Sequence, residues 1–195
     1  MAKRLFDLFF ASLGLFVLWP LFLIISVLIL IKDGFPIFYR QERVGRFGKP
    51  FKIWKFRTMK VQNQGPQLTV AGDKRITPLG QVLRKYKLDE LPQLINVLVG
   101  EMSFVGPRPE VQKYVDLYNE EQKKILKIRP GLTDLASLKY INENDFLAKS
   151  DDPEYFYVNE VMPDKLRLNL KYLEENDLIL DTKIIFATLL GKNPT

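Results

Sequence analysis

The chain has 195 residues and a formal charge of +6, and it contains neither histidine nor cysteine. Those two absences exclude Ser-His-Asp and Cys-His catalysis, disulfides, zinc ribbons and iron–sulfur clusters, so any metal should be a hard cation held by oxygen. The length suits one ordinary domain, and the basic balance points to an anionic partner: nucleic acid, a membrane surface or a phosphorylated substrate.

Leu8 to Ile31 is a run of 24 uncharged residues. As a helix it would be about 36 Å long, enough to cross a hydrocarbon core of about 30 Å. Basic residues, not a small-residue cleavage site, follow it, which argues against a cleaved signal peptide. Lys3 and Arg4 precede the run, and nine basic residues lie between Lys32 and Lys60 against Asp33 and Glu42. Positive flanks favour the cytoplasm, so both ends prefer the same side. Pro20 lies at the midpoint, where it removes a helix hydrogen bond. A re-entrant hairpin of two arms and a kinked span both satisfy these features; a buried core helix is a third option.

Residues 37–43 and 51–58 read as two short strands joined by a turn containing Gly45 and Gly48. Lys55 and Arg57 are two apart and therefore share a strand face, which suits a solvated edge strand. Residues 62–75 read as a polar loop. Leu79, Val82, Leu83 and Tyr86 recur at helical spacing, and Leu91, Leu94, Ile95 and Leu98 repeat it in a second helix closed by Gly100. The segment 102–109 is a short apolar run and a stiff turn, and residues 110–128 suggest a third helix. Arg129-Pro130-Gly131 makes another turn. Two late helices are expected near 163–174 and 177–190, the last with a wide apolar surface that suits either the core or a membrane-lying face.

Asp89-Glu90-Leu91-Pro92 stands where the second helix begins. Asp at an N-cap, Glu in the first turn and Pro beside it are ordinary helix-start chemistry. The same geometry could hold one carboxylate as a nucleophile and its neighbour as a divalent-cation ligand. Arg84 lies just upstream. Arg108 and Arg129 each precede a proline and are held in extended backbone, which suits guanidinium recognition of phosphate.

The runs RQERVGRFGKPFKIWKFRTM (40–59), LDELPQLINVLVGEMSFVGPRPE (88–110) and RPGLT (129–133), in that order after a basic-flanked apolar start, resemble the bacterial sugar transferases. These are small monotopic polyprenyl-phosphate phosphoglycosyl transferases. The resemblance implies transfer of a phospho-sugar from a nucleotide diphosphate sugar, usually UDP-linked, to undecaprenyl phosphate, with release of UMP. It implies Asp89 as nucleophile through an aspartyl phospho-sugar, Glu90 as the Mg2+ ligand, and Lys55, Arg84 and Arg108 facing phosphates. Arg129 matches the family's arginine before Pro-Gly. It also implies a re-entrant membrane helix broken at Trp19-Pro20, where many relatives carry Ser-Pro. Thr133-Asp134-Leu135-Ala136-Ser137 departs from the family's usual continuation, so no sugar contact transfers from that stretch.

The expectation is a mainly helical α+β protein with an N-terminal re-entrant helix-break-helix. Residues 1–32 would anchor it in the lipid bilayer at the cytoplasmic face of the bacterial inner membrane. Residues 33–195 would form a compact catalytic domain with a short β-hairpin and amphipathic helices. Partners are the nucleotide-sugar donor and undecaprenyl phosphate, without nucleic acid, and homo-oligomerisation is left open. The competing reading is a membrane-tethered basic protein that binds anionic lipid or nucleic acid without catalysis.

Overall fold

A computed structural model describes residues 1–61 and 68–191. The architecture is mainly helical, with a long apolar N-terminal helix and two small two-stranded sheets among the described residues. The chain divides into two compact units. The first comprises Met1–Glu42, Lys52–Gln67 and Gly72–Gly100; the second comprises Arg43–Phe51, Leu68–Ala71 and Glu101–Thr195. Of the loop expected at 62–75, residues 62–67 lie outside the described residues.

In the first unit, α1 runs from Ala2 to Asp33 as 32 uninterrupted helical residues, with Trp19 and Pro20 inside it. Its helical pattern continues through Trp19 and Pro20, the pair expected from sequence to mark the bend of the membrane helix. The rings of such prolines are tolerated where neighbouring turns re-satisfy the backbone. By length and composition α1 is apolar enough to cross a membrane. Phe9, Phe16, Val17, Trp19, Leu23 and Ile31 are exposed along it, whereas Asp7, Ala11, Ile25 and Ile29 are buried.

The buried side of α1 has specific partners. Ile25 and Ile29 pack with Phe56 and Leu83. At Gly14 an added Cβ would come within 3.2 Å of Leu94. Arg4, expected as a flanking topological charge, donates to the carbonyls of Val97 (2.6 Å) and Leu98 (2.9 Å). These carbonyls lie at the C-terminal end of the Gln93–Val99 helix, where a cation is also favoured by the helix dipole.

The hairpin forms as expected: β1 (Phe38–Val44) pairs with β2 (Pro50–Phe56) around a short 3-10 turn, Arg46–Gly48. Helix α2 (Pro78–Lys85) opens on Thr77, whose hydroxyl accepts from the Gly80 amide at 2.9 Å. Its anticipated stripe is only partly used: Leu83 is buried, but Val82 and Tyr86 are exposed. A 3-10 turn at Leu88–Glu90 precedes α3 (Gln93–Val99), which Gly100 ends in a left-handed conformation.

In the second unit, β3 (Ser103–Val105) and β4 (Gly131–Thr133) pair in parallel, Ser103 opposite Gly131 and Val105 opposite Thr133. The pairing continues as a close backbone approach: a Cβ on Gly106 would lie 2.4 Å from the Arg129 carbonyl oxygen, and one on Gly131 would lie 2.2 Å from the Gly106 nitrogen. No side chain fits at either position.

The third helix expected over 110–128 is instead α4 (Gln112–Val115) and a separate 3-10 segment, Gln122–Lys127. The division has a local cause. Asn119 and Gln122 bond reciprocally, each side-chain oxygen accepting from the other's amide at 2.9 Å. That reciprocal cap starts a new helical turn and ends the previous one. Helices α5 (Leu135–Lys139), α6 (Glu143–Leu147) and α7 (Pro153–Phe156) follow, and α7 continues through a wide turn at Tyr157–Val161 into α8 (Met162–Glu175). Helix α9 (Leu178–Leu190) buries Ile184 and Ala187 with Val105, Leu138 and Tyr172, while Ile179, Phe186, Leu189 and Leu190 are exposed. A larger core gathers Val44, Tyr114, Tyr118, Ile125, Leu147, Tyr157 and Leu166.

Candidate active site

Asp89 is not the N-cap of α3 that its sequence setting suggested. Lys87 takes left-handed backbone (φ 54°), which ends the preceding turn and places Asp89 inside the 3-10 segment; Pro92 then leads into α3 with no side-chain cap. Asp89 is buried, at 7% exposure. A buried carboxylate loses hydration, so its charge depends on nearby cations and donors.

Those cations come from two other elements. Lys55, on β2, donates to Glu90 with Nζ 2.8 Å from Oε1, both side chains being less than one-fifth exposed. Arg84, on α2, donates from Nε to the Thr58 hydroxyl at 2.8 Å. Burial pulls the Arg84 pKa below its ordinary value, and the negative charges of Asp89, Asp73 and Glu90 oppose that pull. Arg84 thus feels both carboxylates of the Asp89-Glu90 pair. Lys55, Arg84, Asp89 and Glu90 are brought into one electrostatic neighbourhood within the first unit.

Sequence reasoning missed several supporting residues here. Thr58 fixes the Arg84 guanidinium. Asp73 sits in the same field and grips Arg75 through Nε (2.9 Å) and Nη2 (2.6 Å), which holds its carboxyl below the usual range. Arg57 is not a solvated edge residue: it is buried and donates to the carbonyls of Asp33 (2.6 Å) and Gly34 (2.7 Å), at the end of α1. Asn96 is fully buried between α3 and β2. Its signal in the sequence was an amide inside an otherwise apolar helical run, a poor helix former kept away from the polar face.

Glu90, next to Asp89, offers the hard carboxylate oxygens that magnesium takes, and its Oε1 is paired with Lys55. An all-protein cage is not indicated, because no group of three or more acidic side chains converges among the described residues.

Arg108 and Arg129 belong to the second unit. Their two turns are stitched together: the Gly131 amide donates to the Pro107 carbonyl at 3.0 Å. The Arg108 amide donates to Asp134 Oδ2 at 3.2 Å, and Oδ1 of the same carboxylate accepts from Ser137 at 2.6 Å, capping α5. Asp134 is completely buried. The segment that departs from the usual family continuation therefore has a definite task, which is to hold the backbone of the Pro107-Arg108-Pro109 turn. Trp19, named with Pro20 as the helix break, is 60% exposed on α1.

The chain matches the family described as bacterial sugar transferase over residues 1–192. It is 35% identical over 208 residues to the exopolysaccharide production protein ExoY of Rhizobium meliloti, covering 97% of this chain and 84% of that one. It is 36% identical over 197 residues to the UDP-glucose:undecaprenyl-phosphate glucose-1-phosphate transferase of Escherichia coli K12, covering 96% of this chain but 39% of that protein. The UDP-N-acetylgalactosamine-undecaprenyl-phosphate N-acetylgalactosaminephosphotransferase of Aeromonas hydrophila is 34% identical over 192 residues, with coverage of 96% and 42%. The chain belongs to the bacterial sugar transferase family and is a transferase enzyme.

Proposed function

We propose that the protein transfers a phospho-sugar from a UDP-sugar to undecaprenyl phosphate through a covalent aspartyl intermediate on Asp89. The observation that carries the reading is the Lys55–Glu90 ion pair beside buried Asp89, with Arg84 electrically coupled to both carboxylates. Relatives are named for transfer from UDP-glucose or UDP-N-acetylgalactosamine to undecaprenyl phosphate, which supports the donor and acceptor classes.

In this mechanism an Asp89 carboxylate oxygen attacks the β-phosphorus of the donor. The bond from that phosphorus to the oxygen bridging the α-phosphate breaks, and UMP leaves. A phosphate oxygen of the polyprenyl acceptor then attacks the same phosphorus, and the Asp89 carboxylate is regenerated. Asp89 needs no general base, because an ionised carboxylate is already a nucleophile. Lys55 and Arg84 offset charge on the phosphates, and Lys55 exchanges Glu90 for a phosphate oxygen as the donor arrives. Glu90 would hold Mg2+, which when bound neutralises charge on the diphosphate. Arg108 and Arg129, in the second unit, are assigned to phosphate by the family resemblance alone. Helix α1 lies in the bilayer with both ends at the cytoplasmic face.

The deciding experiment is UMP release across a panel of UDP-sugars with undecaprenyl phosphate and Mg2+, followed by intact-mass measurement with acceptor withheld. A phospho-sugar adduct that disappears in Asp89→Asn is expected. Turnover without an adduct, and undiminished in Asp89→Asn, would remove Asp89 from the reaction. The absence of native cysteine makes topology readable too: Ala2→Cys and Gly34→Cys should label from the same side, and labelling from opposite sides means α1 crosses.

A further inference from the structure

We infer that Asn96 is a positioning residue for phosphoryl transfer: its carboxamide pairs with the edge of β2 that faces away from β1, as a neighbour strand would, and so sets the spacing of Lys55 against Glu90. This rests on the proposed reaction only for its kinetic arm. The Arg57 amide donates to the Ile37 carbonyl at 2.9 Å, so the odd-numbered peptide groups at this end of the hairpin face β1. In a pleated strand the even-numbered groups then face the opposite edge. On that edge the Lys52 carbonyl accepts from Asn96 Nδ2 at 2.9 Å, and the Trp54 amide donates to Asn96 Oδ1 at 2.9 Å. One side-chain amide thus gives and takes at residues two apart on β2, as a paired strand's peptide group would.

The placement matters because of what lies at each end. Lys55 directly follows Trp54 and reaches Glu90 at 2.8 Å. Asn96 sits on α3, and the Leu88–Glu90 turn precedes that helix by two residues. The clamp therefore ties the strand bearing the cation to the helix that follows the carboxylates, by a route independent of the Lys55–Glu90 pair itself. At 0% exposure it does so away from water, where both hydrogen bonds are hard to replace. Small displacements of a phosphate-facing group cost about 100-fold in rate.

The test uses Asn96→Ala and Asn96→Asp in the full-length protein, with two readouts. The first is acylation of individual lysines read by mass spectrometry, which needs no substrate. Lys55 should become severalfold more reactive in Asn96→Ala, with buried Lys165 unchanged as the control. The second is UMP release. Asn96→Ala should lower kcat by about 10- to 100-fold. Asn96→Asp should regain rate relative to wild type as pH falls from about 8 to about 6, because a buried protonated carboxyl can again donate to Lys52 and accept from Trp54, and a carboxylate cannot donate. Wild-type Lys55 reactivity in both variants would overturn the clamp. So would a parallel rise at Lys165, which marks general unfolding, or a kcat ratio for Asn96→Asp that is flat with pH. If wild type releases no UMP from any donor, the proposed function fails, and the lysine reactivities still decide the role of Asn96.

Discussion

The two compact units use buried charge in opposite ways. In the first, Lys55, Arg84, Asp73 and Glu90 crowd the neighbourhood of Asp89, and burial works against the charge on Arg84. In the second, carboxylates are tied across the chain as structural links. Glu110 accepts from Tyr157 at 2.6 Å and pairs with Arg43. Asp181 accepts from Tyr172 at 2.5 Å in the core, and Glu143 pairs with Lys165. Asp164 collects Lys139, Tyr140 and Arg167. In the second set Tyr157, Tyr172 and Tyr140 donate to Glu110, Asp181 and Asp164, whereas in the first Lys55 pairs with Glu90 and Arg75 with Asp73. Phenols donate to a carboxylate without adding charge. A lysine or arginine can be passed to an arriving phosphate.

That contrast is open to direct attack. The largest effect should come from Asp89→Asn, with UMP release falling about 10,000-fold or more. Glu90→Gln and Lys55→Ala should each cost about 100-fold or more in kcat/KM, beyond what their loss of stability explains. In the second unit the order reverses. Tyr157→Phe should cost about 1–3 kcal/mol of stability in denaturant unfolding, because Glu110 loses a buried donor, and should leave kcat within about twofold. A kinetic loss in Tyr157→Phe as deep as that of Glu90→Gln, at unchanged Tm, would erase the distinction.

The smallest effect is a pH dependence at Asp164. Burial raises its pKa, but hydrogen bonds from Arg167, Lys139 and Tyr140 outweigh that and hold it at about 2, against an ordinary 3.8. A carboxylate with a depressed folded pKa stabilises fully above its unfolded value, and the benefit fades as pH falls through the folded one. The gap in unfolding midpoint between wild type and Asp164→Asn should therefore be level above about pH 4 and close toward about pH 2. A gap that widens in acid would contradict the assignment.

Much of this was legible before any coordinates. The apolar run of α1, the hairpin around Gly45 and Gly48, and the late helices α8 and α9 follow from local pattern, and local pattern is what periodicity reads. The parallel pairing of Ser103–Val105 with Gly131–Thr133 was not legible, since its partners are far apart in the chain and each strand has three residues. The split of the third helix depends on one Asn119–Gln122 exchange inside a sequence whose apolar spacing suited a continuous helix. At the site, Asp89-Glu90 and the basic residues were found by chemistry and resemblance. The 3-10 placement of Asp89 turned on Lys87 adopting left-handed backbone, which few non-glycine residues do. Thr58, Asp73 and Asn96 carry ordinary side chains whose roles exist only through partners on other elements.

The contacts of α1 bear on how the enzyme can be handled. Arg4 terminates α3, Gly14 lies against Leu94, and Ile25 and Ile29 complete the core around Phe56 and Leu83. Helix α1 is therefore not a detachable extension. Shortening the N-terminus would take the Arg4 guanidinium from the end of α3 and open the core beneath α2. Solubility and an intact active site become competing goals for truncation. Amphipathic carriers that cover the outward face of α1 while leaving its inward face in place avoid that conflict.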